Sequence, residues 1–310
     1  MLLNNNIPLT YVFGKVRREL IIILIYTLGI AIMHEVFEVN SLTIPISVPG
    51  ILGTVISLLL GFRSQQAYDR WWEARQIWGA IVNDSRTMTR QLLTFTDVID
   101  DFEIAQHFQR RLVHRHIAWC YSLSQTLRGK SPVAGLENYM SKKDLEFVSN
   151  YTNVPMGILE LHGRDFKKAL DEGWINRYQH IELDRTLTRF CDSMGACERI
   201  KKTVFPSTYR VYIHFSLLLF ISLLPFSVIE YLGFFEIPLV MAVSACFLLI
   251  EKMGIHLQDP FENKPTDTPM TAISKTIERD LRQMLNDHQL LVVADAVADD
   301  REKEELYYQL

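Results

Sequence analysis

Charge is absent from four stretches of this chain and dense between them, and that partition gives the first elements. Residues 20–33 (LIIILIYTLGIAIM), 44–62 (IPISVPGILGTVISLLLGF), about 211–226 and 237–250 (IPLVMAVSACFLLI) contain no Asp, Glu, Lys or Arg. A helix needs about 20 residues to cross about 30 Å of hydrocarbon, and only 44–62 reaches that comfortably. The helices of the first and fourth runs are therefore expected to extend past their apolar limits, with flanking side chains reaching back to the interface. A buried helix in a soluble core is the plain alternative for those two runs.

Flanking charge favours membrane spans. Lys15, Arg17 and Arg18 precede the first run; Arg63, Arg70 and Arg75 follow the second; Arg199, Lys201, Lys202 and Arg210 precede the third; Lys252 follows the fourth. The links 34–43 and 229–236 carry Glu35, Glu38, Glu230 and Glu236 but no Lys or Arg. The positive-inside rule then places both termini and the long middle segment in the cytoplasm.

The middle segment reads as helical. Residues 68–93 repeat Trp72, Trp78, Ile81 and Val82 near helical spacing, and 101–129, 141–151, 157–174 and 178–190 follow. Ser141 with Asp144 three positions on marks a helix start. Turn residues cluster at 129–135 and 152–155. After a polar, Pro-containing stretch at 259–269 comes a helix over 271–288, then an acidic end at 295–305 that is expected to fray. Nothing alternates as a strand would. The class is all-α: four transmembrane helices per subunit and a large helical cytoplasmic region. The divisions are 1–62 with the first two spans, 63–210 cytoplasmic, 211–250 with the last two spans, and 251–310 cytoplasmic.

Composition removes several functions. Net charge is −4, which offers nucleic acid no basic surface. Cys120, Cys191, Cys197 and Cys246 form no C-x-x-C pair, so neither a disulfide framework nor a thiolate metal site is implied. Cys246 sits in an apolar run as a small hydrophobe. The N-terminus lacks the cleavage site of a signal peptide. There is no phosphate-cradling glycine loop, no G-x-S-x-G and no H-E-x-x-H. His114 and His116 face apart on a helix; His107 and His114 share a face, without a carboxylate or Cys at matching spacing. No enzyme, no metal and no cofactor is expected.

The second span carries more. Gly50, Gly53, Ser57 and Gly61 form a small-residue stripe that allows close helix approach, so Gly53, Ser57 and Gly61 are assigned to helix packing. Rotated by about 100° run Thr54, Leu58 and Phe62 at i, i+4, i+8. Two packing faces in one bundle would produce the same spacing. The functional alternative is that one stripe packs and the other lines a narrow pore, where apolar rings close by dewetting. Trp71 and Trp72 then follow a charged turn at the membrane edge.

These residues carry a resemblance. Gly61-Phe62, Arg70-Trp71-Trp72, Trp78-Gly79, Asn83-Asp84-Ser85-Arg86, Cys197-Glu198-Arg199-Ile200 ahead of Pro206 and Tyr209, and Asp259-Pro260-Phe261 stand in the order and spacing of bestrophins, so the chain resembles the bacterial branch of that family from about residue 11 to 290. The resemblance implies a homopentamer around a central pore, in a bacterial inner membrane, with lipids and small inorganic ions as its other partners. It places the pore neck at Thr54, Leu58 and Phe62, the stripe that spacing had isolated, and a second, cytoplasmic constriction within about 157–176.

Two departures from the family matter. Its neck positions are usually all apolar, and Thr54 is not. The acidic calcium clasp of animal members is reduced here to Glu262 and Asp267 with Lys264 between them, so calcium gating is not expected. Ion sign stays open, with a lean towards cations through the bacterial resemblance. Glu35 and Glu38 outside, and Asp69 and Glu73 inside, would enrich cations if they face the pore; the basic flank argues the reverse. The function expected is a passive channel for small monovalent ions. A secondary transporter or a membrane-anchored scaffold are the alternatives, and the lack of an ionisable residue between Ile44 and Phe62 speaks against the transporter.

Overall fold

A computed structural model describes residues 13–37, 43–96, 102–203, 206–264 and 266–287. Asp101, Glu38, His288 and the acidic end at 295–305 lie outside the described residues. Among the described residues there are nine α-helices and no strand. They are α1 Arg17–Glu35, α2 Ser47–Phe95, α3 Phe102–Leu127, α4 Lys142–Ser149, α5 Val154–Asp171, α6 Arg177–Lys202, α7 Ser207–Leu232, α8 Glu236–Leu257 and α9 Met270–Met284. Short 3₁₀ turns stand at Leu136–Asn138 and Gly233–Phe235.

Local sequence explains three of the helix starts. Ser141 Oγ accepts the Asp144 N–H at the start of α4, and Asn176 and Gln179 form a reciprocal capping box at the start of α6. Residues 152–155, expected as a turn, are instead shared with α5. Its cap is Asn153, and Pro155 falls in the first turn, where a missing N–H costs nothing. The α6 helix runs on to Lys202, well past residue 190, because Met194, Cys197 and Ile200 are buried at helical spacing and Ala196, Glu198, Arg199, Lys201 and Lys202 favour helix, which outweighs Gly195 and the weaker formers Cys191, Asp192 and Ser193.

The largest departure is α2. A charged turn was expected after Phe62, but the helix continues for 49 residues from the apolar run into the polar one. No proline interrupts it after Pro49, and Arg63, Gln65, Gln66 and Ala67 all favour helix. The helices of the first and fourth apolar runs extend past the apolar limits as expected, to 19 residues in α1 and 22 in α8.

The chain divides into two compact units. One comprises Asn4–Trp71 and Val204–Asp259, the other chiefly Trp72–Thr203 with the residues from Pro260 onward. In the first, α1, the apolar part of α2, α7 and α8 meet around Ile23, Ile56, Leu60, Leu217, Phe220 and Leu248. The α7 and α8 helices pack on each other across a turn at Gly233, whose φ of +50° suits glycine, so they form a hairpin. Their outer surfaces stay apolar: Ile21, Ile22, Leu24 and Ile25 of α1 and Val211, Tyr212, Phe215 and Leu218 of α7 are all exposed. A helix that is apolar all round while only one side is covered is built for a solvent other than water.

The second unit is ordinary by contrast. Trp78, Ile81, Leu112, Trp119, Ile158, Phe166 and Phe190 are fully buried at its centre, each such side chain contributing about 1.5–3 kcal/mol over its exposed state. Arg115 is buried among carboxylates, donating to Asp165 at 2.5 Å and Asp144 at 2.8 Å. The α9 helix docks through Ile273, Ile277 and Leu281, four residues apart, and the Tyr121 and Tyr139 hydroxyls both donate to Glu278 beside them. Several residues of the ordered motifs serve as ties here. Asp84 accepts from Arg189 at 2.7 Å, Arg86 donates to Asp280 at 3.0 Å, and Asn153 donates to Glu198 at 2.7 Å.

A candidate pore-lining face on the longest helix

Within its apolar half, α2 has two opposed faces. Ile56 and Leu60 are buried, and Arg63 and Ala67 continue that stripe, turned towards α7 and α8. On the other side Thr54, Leu58 and Phe62 are exposed, Leu58 by 60% and Phe62 by 57%. The register follows from helical geometry, since residues 56 and 58 differ by about 200° around the axis. The structure therefore puts the three neck candidates on one uncovered face, a turn apart. Thr54 Oγ1 donates to Gly50 O at 2.9 Å. Its hydrogen is already committed, so towards the open side it offers water only acceptor lone pairs.

The packing stripe divides. The Phe220 ring lies over Gly53, its Cε2 atom 3.0 Å from where a Cβ would stand, so Gly53 serves contact within the subunit. Gly61 meets nothing within 4 Å of such a position. Ser57 is exposed, its hydroxyl turned back onto Gly53 O at 2.7 Å.

Behind the exposed face lies a polar cluster that sequence reading did not assemble. Arg63 is 3% exposed and Glu251 1%. The Arg63 Nη1 atom stands 3.9 Å from Glu251 Oε1, and His214 Nδ1 stands 3.1 Å from the same oxygen. The Arg63 stem runs beside Gly254, where a Cβ would stand 3.8 Å from Arg63 Cγ, at ordinary van der Waals contact. Three helices supply these residues, and no spacing in one of them could have revealed the group. One turn further on, Arg70 Nε donates to Gln258 O at 2.9 Å. The charges near the inferred mouths are partly engaged. Glu73 pairs with Arg199 at 2.5 Å, and Asp69 accepts from Gln65 at 2.9 Å. On the other side, Glu35 lies 3.4 Å from His34.

In the stretch 157–176 no large apolar side chain is exposed. The exposed ones flank it, at Met156 on one side and Tyr178 and Ile181 on the other. Among the described residues no group of three His, Cys, Asp or Glu side chains could hold a metal ion. All four cysteines are unpaired, and burial pushes the Cys120 and Cys197 thiols up to about 12, leaving them unreactive.

Geometry and composition together define, among the described residues, an all-helical protein of two units, one a bundle of helices with an apolar outer surface and the other a helical unit with an ordinary buried core. Residues 8–283 match the model of the bacterial/fungal bestrophin protein family, and the chain belongs to that family. A Nostoc sp. protein named voltage-dependent anion channel-forming protein is 30% identical over 275 residues, 87% of each chain. An Escherichia coli K12 protein of the same description is 27% identical over 88% of each. The crystal structure of a bacterial bestrophin homologue from Klebsiella pneumoniae superposes with a TM-score of 0.82 at 26% identity, covering 87% of this chain and 98% of that one.

Proposed function

We propose that the chain is the pore-forming subunit of a homopentameric channel in a bacterial inner membrane, passing small monovalent anions through a hydrophobic neck of Thr54, Leu58 and Phe62. The observation that carries the reading is the uncovered face of α2, where large apolar side chains recur each turn opposite a fully packed one. In a ring of subunits such a face supplies stacked apolar constrictions, and an ion crossing them must shed water. Two helical stretches, Ser47–Phe95 and Thr208–Leu257, are long and apolar enough to cross a membrane. The second is the α7–α8 hairpin, and α1 has a comparable apolar surface, which supports four crossings per subunit. Both termini and the aqueous unit lie on the cytoplasmic side in this reading, by the charge of the flanks.

Ion sign is taken from the relatives, which are named for anions, in place of the cation lean from sequence. The engagement of Glu73 by Arg199 also removes one of the acids on which enrichment of cations rested. A second apolar constriction near the aqueous end would draw on Met156, Tyr178 or Ile181. Purified protein in planar bilayers under a potassium chloride gradient tests the proposal. Channel currents reversing near the chloride equilibrium potential support it. Reversal near the potassium potential overturns the sign. Saturating flux with counterflow, and no unitary currents, would make it a transporter.

A further inference from the structure

Arg17 opens α1 at the head of an apolar groove of about 550 Å³, walled by Phe13, Leu20, Ile21, Leu24 and Met241. From Arg17 to Leu24 is seven residues, about 10 Å along the helix, so the groove has one charged end and one wholly apolar end. The neighbouring charges do not cancel Arg17. Glu19 is taken by Lys252, Nζ to Oε1 2.9 Å. Neither Arg17 nor Arg18 has an ion-pair partner among the described residues.

An occupant must satisfy both ends. A second copy of α1 or α8 would cover the apolar wall, but no acid on those helices is left to meet Arg17: Glu19 is engaged by Lys252, Glu251 is buried against Arg63 and His214, and Glu35 and Glu236 stand at the far end. A lipid brings a chain that fills a narrow apolar trough and a phosphate whose oxygens match the guanidinium fork. We propose that this groove holds one acyl chain of an anionic glycerophospholipid, its phosphate seated on Arg17. The inference rests on reading α1 and α8 as membrane helices with Arg17 at the cytoplasmic interface, where anionic headgroups and basic side chains meet.

Native mass spectrometry of the detergent-purified full-length protein, given equal phosphatidylglycerol and phosphatidylcholine with identical acyl chains, tests this. Phosphatidylglycerol should be retained about fivefold over phosphatidylcholine, the effect of one basic side chain on an anionic headgroup. Arg17→Gln should abolish that preference, and Arg18→Gln, outside the groove, should keep it. Leu24→Trp fills the trough and should lower retention of both lipids. Equal retention of the two lipids, or a preference that survives Arg17→Gln, overturns the proposal. So does Leu24→Trp leaving lipid untouched while shifting the oligomer mass, which would show a second copy in the groove. Retention is read without ion flux, so a protein that keeps the lipid but passes no current fails only the channel reading.

Discussion

Phe220 of α7 lays its ring across Gly53 of α2, so closely that a Cβ on Gly53 would meet its Cε2 at 3.0 Å. Gly61, two turns along the same helix, faces open space in the subunit. The two glycines of one stripe therefore answer to different partners.

Substitution separates them. Gly53→Leu should overpack the subunit itself, at about 1–3 kcal/mol, and lower its thermal midpoint. Gly61→Leu should leave the subunit unstrained and weaken the oligomer through the lost close approach. Sedimentation together with thermal unfolding of both variants checks this. An intact oligomer with Gly61→Leu would remove that glycine from the interface.

The neck makes the sharpest prediction. Truncating Leu58 or Phe62 to Ala widens an apolar ring and lets water stay, which lowers the desolvation barrier to an ion. Each variant should raise unitary conductance, and about 1.4 kcal/mol off the barrier corresponds to about tenfold in crossing rate. Thr54→Ala should change little, because the Thr54 hydroxyl hydrogen is already spent on Gly50 O. Recordings from oligomers of verified mass decide the matter. Unchanged conductance in both Leu58→Ala and Phe62→Ala would end the assignment.

Calcium should not activate the channel. Glu262 is held in an ion pair with Lys264. Asp267 is buried and accepts the Lys264 backbone N–H at 3.0 Å. A calcium ion wants six to eight oxygen ligands, and both carboxylates of this loop are already engaged by one lysine. Currents measured as calcium rises from nanomolar to micromolar on the side of this loop should stay level; a steep rise contradicts the reading.

Acid should loosen the aqueous unit. His116 lies 2.8 Å from Ser85 Oγ and stacks on Trp119, and both ring nitrogens of the adjacent His162 lack a hydrogen-bond partner. Burial pushes His116 down to about 3 and, with Arg115 adding to it, His162 well below the ordinary 6.5. Both rings are thus neutral when folded and protonate on unfolding below about pH 6.5. Their contribution is complete above that pH and is lost as pH falls towards 3, at about 1.4 kcal/mol per unit for each ring. The unfolding midpoint, followed by tryptophan fluorescence from pH 7 to 4.5, should fall. His162→Phe should flatten that fall by one ring's share, and a slope equal to the parent's would refute the assignment.

The partition of charge was enough to read the apolar runs, and helical periodicity to read the class and the Thr54, Leu58 and Phe62 stripe, because a period of 3.6 residues decides which side chains share a face. The start of α4 was legible too, since Ser141 caps it from three residues away. Local signals could not say which face finds a partner. Gly53 and Gly61 are equivalent along the chain, yet one receives Phe220 and the other nothing. Arg63 reads as a flanking charge at the membrane edge and is instead 3% exposed, because α7 and α8 bring His214 and Glu251 to it from more than 150 residues away. The apolar groove behind Arg17 likewise needed Met241, more than 200 residues further along the chain. Burial is a property of neighbours, and in a bundle those neighbours come from helices whose spacing carries no record of one another. That is why the stripe of Thr54, Leu58 and Phe62 could be grouped from one helix, while the buried charges behind it required the tertiary structure.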